Sequence, residues 1–285
     1  MKASKTLIVG LALALTLGAA PVMAAGGAAH PREPSGGFSF EGPFGRFDQG
    51  QLQRGYKVYK EVCASCHSMQ LLSFRDLGLA GGPFWYERYP NPNENPFVKA
   101  IAGEFEVNDI DNESGDTITR KAVPADRFPS PYANAIAGAA ANGGAPPPDL
   151  SVMAKARHNG ANYIYSLLTG YRAAPAGLTI SPTQHYNPWF PGDLTSAWSG
   201  DHRHVPKGGV IAMPAPLTSE GQVTYDDGTR PTVDQMAQDV SAFIAWASEP
   251  KATERKSLGV AVMLYLLLFA GLTFASYRRI WKNEH

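Results

Sequence analysis

Cysteine is scarce in this sequence, with only Cys63 and Cys66 in 285 residues. A zinc site needs more thiols or paired histidines at metal-ligand spacing, and a thioredoxin-like pair belongs to a cytosolic βαβ unit. The sequence has neither context. It also lacks a P-loop, a G-x-G-x-x-G element, a nucleophile elbow and internal repeats, and its formal net charge is +0. These absences argue against the common nucleotide-binding and hydrolase classes and against a nucleic-acid partner.

The two cysteines lie in Cys63-Ala64-Ser65-Cys66-His67, a C-x-x-C-H motif. Thiols at this spacing can bond covalently to the two vinyl groups of one haem, and the adjacent imidazole then reaches the iron from the same side. C-x-x-C-H is the pattern typical of c-type haem attachment. The motif therefore predicts one covalent haem c, with His67 as one axial ligand.

Residues 1–24 have the pattern of a signal peptide. Lys2 and Lys5 precede an apolar run from Leu7 to Ala20, and small or compact residues lead to a predicted cleavage site after Ala24. An uncleaved anchor is the alternative, but the run is short for a span of about 20 residues. We therefore expect an exported protein.

A second apolar run, residues 257–277, carries no charge. At 1.5 Å per residue it would extend about 31 Å, close to the hydrocarbon thickness of a bilayer, so we interpret it as a transmembrane helix. A buried core helix is the alternative. With the export signal, this helix predicts a haem domain at 25–256 on the periplasmic side of the inner membrane, and a cytoplasmic tail at 278–285.

Capping and periodicity predict a mainly α fold with long loops. The expected helices start at Asp48, cover 97–105, 134–145, 149–158 and 162–169, and start again at Thr232. A small hairpin is expected at 222–228, where Asp227-Gly228 follows an extended segment. Residues 171–207 are expected to be loop-like. The acidic stretch 104–116, with six carboxylates and no basic residue, fits either a solvated loop or a docking surface.

The second axial ligand decides whether the iron has an open position. Met213 is the leading candidate because Pro214 and Pro216 favour an extended, stiff backbone around it. Met69 is too close to His67 to reach the opposite face. The other methionines of the exported part fit core positions, and four histidines remain as rival ligands. These are His158, His185, His202 and His204, and metal binding by the last two is an alternative interpretation.

Several motifs together resemble the cytochrome c1 family. They are YKEVCASCHSM (59–69), ANGGAPPPDLS (141–151), ARH (156–158), residues 163–171, MPAP (213–216), YDDGT (225–229) and Glu249-Pro250. The resemblance covers most of residues 38–282 in order, including the terminal anchor. It implies a cytochrome c-like haem domain followed by one C-terminal transmembrane helix.

The resemblance also implies roles for individual residues. Met213 would be the sixth iron ligand, and Arg157 would contact a haem propionate. The positions that pack on the haem in the family correspond to Tyr59, Tyr163, Pro147 and Pro148. One departure is the absence of the second cysteine pair that some bacterial members have before the ligand methionine. Packing must hold the 171–207 loop instead.

The implied function is that of the electron-transfer subunit of the cytochrome bc1 complex, a quinol–cytochrome-c reductase. The subunit would pass single electrons from the Rieske iron–sulfur protein to a soluble c-type cytochrome, beside cytochrome b in a dimeric, membrane-bound complex. It would have no bond-making catalytic residues of its own. Two alternatives are a membrane-tethered cytochrome that acts alone, and a haem sensor or peroxidase-like enzyme with an open axial position.

Overall fold

A computed structural model describes residues 27–283. The predicted signal peptide, with its cleavage site after Ala24, lies outside the described residues, as do the last two residues of the predicted tail. The helices are α1 (Gln49–Val58), α2 (Pro96–Gly103), α3 (Ala135–Ala141), α4 (Met153–Ala156), α5 (Gly160–Leu168), α6 (Val233–Ser248) and α7 (Ala252–Ile280). The strands are β1 (Glu106–Ile110), β2 (Thr117–Lys121), β3 (His185–Asn187) and β4 (Gly209–Ile211). The described chain is mainly helical, as predicted.

The helix that leads to the C-x-x-C-H motif begins where the sequence predicts. Asp48 caps α1 by accepting a hydrogen bond from the backbone N–H of Gln51 at 2.7 Å. Beyond Val58 the helix widens into a π-helical turn, Tyr59–Cys63. The predicted apolar face is confirmed, because Leu52, Tyr56 and Tyr59 are buried.

Helix α1 packs along α6, and these two helices form the centre of the core. Gly55 lets the backbones approach closely, because a Cβ there would lie 2.7 Å from Phe243 Cβ and would overlap the carbonyl oxygen of Asp239. Asp239 is fully buried, and Arg54 Nε donates to its Oδ2 at 3.0 Å. A buried carboxylate needs such a partner, so this ion pair lets a charged residue lie inside the α1–α6 contact.

The cap of α6 forms only in part. Thr232 Oγ1 accepts from the N–H of Gln235 at 3.0 Å, as predicted. The side chain of Gln235 does not complete a capping box, because it donates to Asp239 Oδ1 at 2.9 Å instead. The buried carboxylate of Asp239 thus binds the Gln235 side chain, which the spacing from Thr232 predicted as part of the helix cap.

The hairpin predicted at 222–228 is wrong. Val223 and Tyr225 point into the core, while Asp226 and Asp227 form ion pairs with Lys57 and Arg54 of α1. Because these side chains pack into the core and onto α1, the segment 222–228 does not pair as a strand.

Two other antiparallel pairs form instead. β1 pairs with β2, with Glu106 opposite Lys121, and β3 pairs with β4, with His185 opposite Ile211. Residues 106–110 of the acidic stretch 104–116 therefore form a strand, because the residues that follow the stretch supply cations across the hairpin.

The shorter predicted helices are confirmed with shifted ends. Helix α2 is capped by Asn95, whose Oδ1 accepts from Phe97 N at 3.0 Å. The helix predicted over 149–158 shortens to α4, because the carboxylate of Asp149 binds residues 68 and 70 rather than capping it. α3 and α5 lie within two residues of their predicted starts.

The 171–207 loop has a small apolar cluster of its own. Leu178, Tyr186 and Leu194 are buried together, and Trp198 packs against them. The N-terminal segment then ties the loop to the rest of the domain. Ala29 N donates to Pro188 O at 2.8 Å, and the Arg32 guanidinium lies 4.5 Å from the centre of the Trp189 ring. These contacts hold the loop, which contains no cysteine.

Helix α7 has 29 residues and contains the predicted run 257–277. Its apolar side chains are exposed, and Ala252 at its start is its one buried residue. Within the described residues, α7 is the one helix that is long and apolar enough to cross a membrane. Such exposure fits a single-pass membrane anchor rather than a core helix.

The close approach at Gly55 generates a stability prediction. Gly55→Ala should lower the free energy of unfolding by about 1–3 kcal/mol, because the added methyl must push α1 away from α6. Gly50→Ala, in the same helix, is the matched control, since its Cβ would lie 3.5 Å from the nearest atom. It should leave stability unchanged or raise it by about 0.5–1 kcal/mol. Thermal melts followed by circular dichroism would measure both, and equal stability of the two variants would contradict the prediction.

Candidate haem site

The C-x-x-C-H motif forms one continuous turn at the end of α1. Backbone hydrogen bonds join Cys66 N to Cys63 O at 3.1 Å and His67 N to Cys63 O at 2.8 Å. Both thiols are free and half-buried. Burial raises the pKa of Cys63 to about 12, with a smaller contribution from Cys66. The turn therefore presents two thiols and an imidazole from five consecutive residues.

The tautomer of His67 is set by a backbone carbonyl. His67 Nδ1 lies 2.8 Å from Pro148 O, and because a carbonyl only accepts, Nδ1 carries the proton. The Nε2 lone pair is then left for a metal. Burial lowers the pKa of His67, although Pro148 and Asp149 oppose this shift. The imidazole is thus held neutral, as a metal ligand requires.

Asp149 links the residues that follow the C-x-x-C-H motif to the segment that follows Pro148. Its Oδ2 accepts from Ser68 Oγ at 2.7 Å and from Gln70 N at 2.8 Å, while its Oδ1 accepts from Ser151 N at 2.8 Å. Burial alone would raise the pKa of Asp149, but these hydrogen bonds outweigh it and keep the pKa below its ordinary value. The sequence did not predict this role, because Asp149 was assigned only to the start of the expected helix 149–158. The adjacent Pro-Pro-Pro run could have indicated that Asp149 belongs to the site.

Met213 lies just beyond β4 and is half-buried. Tyr171 Oη donates to its carbonyl oxygen at 3.0 Å, a contact that the sequence analysis did not foresee. Met69 and Met236 are fully buried in the core, and Met153 packs against it, as predicted. Met213 stays the predicted ligand.

The histidines proposed as rivals differ in their surroundings. His185 pairs across the sheet with Ile211, and its ring lies 6.4 Å from that of Tyr171, so it comes close to the Met213 segment. His158, His202 and His204 are exposed. In residues 27–283, no group of three His, Cys, Asp or Glu side chains could hold a metal ion. The Asp201–His204 turn therefore gains no support as a metal site.

The other predicted haem contacts form two groups. Tyr59 is buried beneath the motif, and its Oη donates to His67 O at 3.3 Å. Pro148 holds His67, and Pro147 is half-buried beside it.

The second group contains Arg157, which is exposed and follows α4 with an extended backbone. Burial raises the pKa of Tyr163, and the nearby Arg157 guanidinium opposes this shift. Burial also raises the pKa of Tyr171, and Tyr163 adds to it. Arg157 and Tyr171 therefore both lie near Tyr163, and Tyr171 binds the Met213 backbone.

These residues fit a c-type haem. Two free thiols on one turn, an imidazole with its Nε2 lone pair available, and a half-buried thioether on a separate segment are the groups that the attachment points and axial positions of such a haem require. The neighbouring tyrosines and prolines supply apolar walls, and Arg157 supplies a cation for a carboxylate.

Comparisons with known proteins identify the family to which the chain is similar. Residues 38–284 match the sequence model of the Cytochrome C1 family. The chain is 43% identical over 273 residues to cytochrome c1-2, heme protein, mitochondrial, of Solanum tuberosum, covering 95% of this chain and 94% of the relative. It is 40% identical over 285 residues to cytochrome c1 of Rhodospirillum rubrum, covering 92% and 94%.

A third relative is a longer protein. Cytochrome b/c1 of Bradyrhizobium diazoefficiens is 41% identical over 273 residues, which are 89% of this chain and 36% of that protein. The chain thus spans about a third of the length of this relative.

The contact between Tyr171 and the Met213 backbone generates a prediction. Tyr171→Phe removes a buried hydrogen bond and should loosen the Met213 segment, at a cost of about 1–2 kcal/mol. The reduced variant should bind carbon monoxide faster than wild type. Tyr186→Phe is the matched control, because its Oη donates to Lys207 O at 2.7 Å in the same loop but away from Met213. If both variants bind carbon monoxide at the wild-type rate, Tyr171 does not position Met213.

Proposed function

Because the chain belongs to the cytochrome c1 family, we propose that its C-x-x-C-H turn carries the haem that moves electrons through a cytochrome bc1 complex. The family consists of haem proteins with an electron-transfer role in that complex. The observation that carries the proposal is the hydrogen bond from His67 Nδ1 to Pro148 O, because it leaves the Nε2 lone pair available beside two free thiols. A pyridine haemochrome spectrum of the purified full-length protein tests it, and one haem c per chain is the expected result.

Each proposed ligand has a distinct task. Cys63 and Cys66 bond the haem covalently, His67 supplies one axial nitrogen, and Met213 supplies the opposite sulfur. When bound, the haem supplies an iron that carries one electron as it changes between the ferric and ferrous states. A neutral thioether opposite an imidazole favours the ferrous state and raises the reduction potential.

The surrounding residues would hold the group in place. Tyr59, Tyr163 and Pro147 are buried or half-buried and would pack on its faces, beside Pro148. Arg157 would pair with a propionate, since a guanidinium matches a carboxylate with two parallel hydrogen bonds and stays charged at any working pH.

Two protein ligands would leave no open iron position, and this separates the proposal from a sensor or a peroxidase-like enzyme. Such an enzyme would bind carbon monoxide readily in the reduced state. The subunit would then contain no bond-making site and would act only as part of quinol–cytochrome-c reductase.

We propose cytochrome b, the Rieske iron–sulfur protein and a soluble c-type cytochrome as partners, in a dimeric complex. The relative named cytochrome b/c1 supports the first of these. Purification of a tagged chain from solubilised membranes tests them together. Recovery of the haem protein without cytochrome b would favour a membrane-tethered cytochrome that acts alone.

The domain organisation is part of the same proposal. Residues 1–24 would be removed on export, 25–256 would form the periplasmic haem domain, 257–277 would cross the inner membrane and 278–285 would be cytoplasmic. The apolar, exposed face of α7 supports a single crossing. Cations at Arg278 and Arg279 support a cytoplasmic C-terminus.

The first prediction from this function concerns Met213. Met213→Leu keeps the volume but removes the sulfur, so the reduction potential should fall by a large part of the range of about 0.8 V that axial ligation covers. The reduced variant should also bind carbon monoxide. Met153→Leu is the matched control, because Met153 packs against the core and should leave the potential unchanged. A Met213→Leu protein with wild-type potential would bring His185 back as the ligand.

The second prediction concerns the acidic stretch 104–116. The structure limits the carboxylates that could attract a partner to those without an ion pair. Three of its carboxylates form ion pairs, since Glu104 contacts Lys60, Glu106 contacts Lys121 at 3.1 Å, and Asp109 contacts Arg120 at 2.5 Å. Their charge is therefore largely offset. Among the described residues, the carboxylates of 111, 113 and 116 have no ion-pair partner, so the negative field lies at the tip of the hairpin.

Asp111→Asn with Glu113→Gln should slow electron transfer to a basic soluble cytochrome at low ionic strength. Opposite charges speed encounter, and salt screens them beyond about 8–10 Å near physiological ionic strength, so the difference should shrink as salt is added. Glu87→Gln with Glu94→Gln removes two exposed carboxylates elsewhere and is the control. Stopped-flow rates over a salt series would measure both, and superimposed curves for hairpin variant and wild type would assign docking to other residues.

A further inference from the structure

A polar cleft lies where the haem domain meets the start of α7. The loop 40–47 forms one side of the cleft, and residues 253–260 of α7 form the other. It contains two adjoining cavities, of about 370 Å³ and 250 Å³, which share Gly45, Thr253 and Lys256 in their walls. We call this feature the membrane-side cleft.

The cleft reaches the level of the bilayer surface. Its lower cavity is lined by Ser257 and Val260, which belong to the apolar run 257–277. From Thr253 to Val260 the helix rises about 10 Å, and the headgroup layer on one side of a bilayer is about 5–7 Å thick. The cleft therefore extends from the base of the haem domain through the depth that lipid headgroups occupy.

The loop that forms its outer wall is built to face lipid. Ser39 and Arg46 close the loop through two hydrogen bonds of 2.9 and 3.1 Å. Phe40 and Phe47 stack behind it with ring centres 4.4 Å apart. The tip residue Phe44 is 78% exposed and lines the lower cavity. An exposed aromatic ring beside a membrane helix belongs at the boundary of headgroups and acyl chains.

The lower cavity is positively charged. Arg46 and Lys256 line it, and none of its lining residues is acidic. Within residues 27–283, neither cation has a carboxylate oxygen within 4.0 Å. The Lys256 ammonium donates instead to the carbonyl oxygen of Phe40.

The acidic groups of the upper cavity are already occupied. Glu249 is paired with Lys155 at 3.3 Å and with Arg255. Glu41 accepts from Asn162 Nδ2 at 2.8 Å. Burial, with Glu33 next, raises the pKa of Glu41, and Asn162 and Lys256 oppose this shift. Lys256 thus lies near Glu41 without forming an ion pair with it.

We propose that the membrane-side cleft binds the headgroup of an anionic phospholipid such as phosphatidylglycerol. The phosphate lies between Arg46 and Lys256, and the acyl chains leave past Phe44 and Val260. The occupant comes from the leaflet on the side of the haem domain. This proposal rests on α7 crossing the membrane and is independent of electron transfer.

The full-length, haem-loaded protein in detergent is titrated with phosphatidylglycerol, and separately with phosphatidylcholine of the same acyl chains, and bound lipid is counted by native mass spectrometry. One phosphatidylglycerol should bind more tightly than phosphatidylcholine. Arg46→Gln with Lys256→Gln removes two charges at the membrane surface and should weaken phosphatidylglycerol binding about thirtyfold. Arg46→Lys with Lys256→Arg should retain it, as should Lys251→Gln, which removes an exposed cation outside the cleft. Equal haem content and melting temperature confirm that the variants fold.

Three outcomes would overturn the proposal. Equal affinity for the two lipids would show that the cleft does not select an anionic headgroup. Displacement of phosphatidylglycerol by inorganic phosphate at the same concentration would identify a site for free anions. Phosphatidylglycerol retained equally by wild type and by the double glutamine variant in the purified membrane complex would show that Arg46 and Lys256 do not bind it there.

Discussion

The chemistry of the site depends on the hydrogen bonds that join residues 67–70 to residues 148–151. Pro148 O fixes the proton of His67 on Nδ1, and the carboxylate of Asp149 binds the chain on both sides of that contact. Without them, the imidazole could rotate or change tautomer, and its Nε2 would not face a fixed position. A rigid ligand matters for a carrier of electrons, because the reduction potential follows axial ligation.

The contact of α1 with α6 fixes the position of the turn that carries the C-x-x-C-H motif. Helix α1 ends in the turn that carries both cysteines, so its position sets the position of the thiols. Gly55 permits the close approach, and Arg54 balances the buried charge of Asp239. The same arginine also binds Asp227, which draws the 222–228 segment onto α1 and away from the hairpin that its turn residues favour. One buried ion pair therefore organises three separate parts of the chain.

Charge is distributed unevenly over the surface of the protein. The hairpin of β1 and β2 neutralises most carboxylates near its base and leaves those near its tip free. At the start of α7 the balance is reversed, and cations remain unpaired beside an exposed phenylalanine. An acidic tip suits a basic soluble partner, whereas a cationic cleft at the membrane surface suits anionic lipid.

The sequence by itself determined the features that depend on neighbouring residues. The C-x-x-C-H turn, the cap of α1 at Asp48 and the length of the apolar run in α7 are local, so spacing and composition were enough to predict them. Only the tertiary structure decided the features that join distant residues. The pairing of His67 with Pro148, the hydrogen bond from Tyr171 to Met213 and the ion pair of Glu104 with Lys60 each link residues far apart in the sequence. No local pattern encodes these partners, because the packing of the whole core selects them.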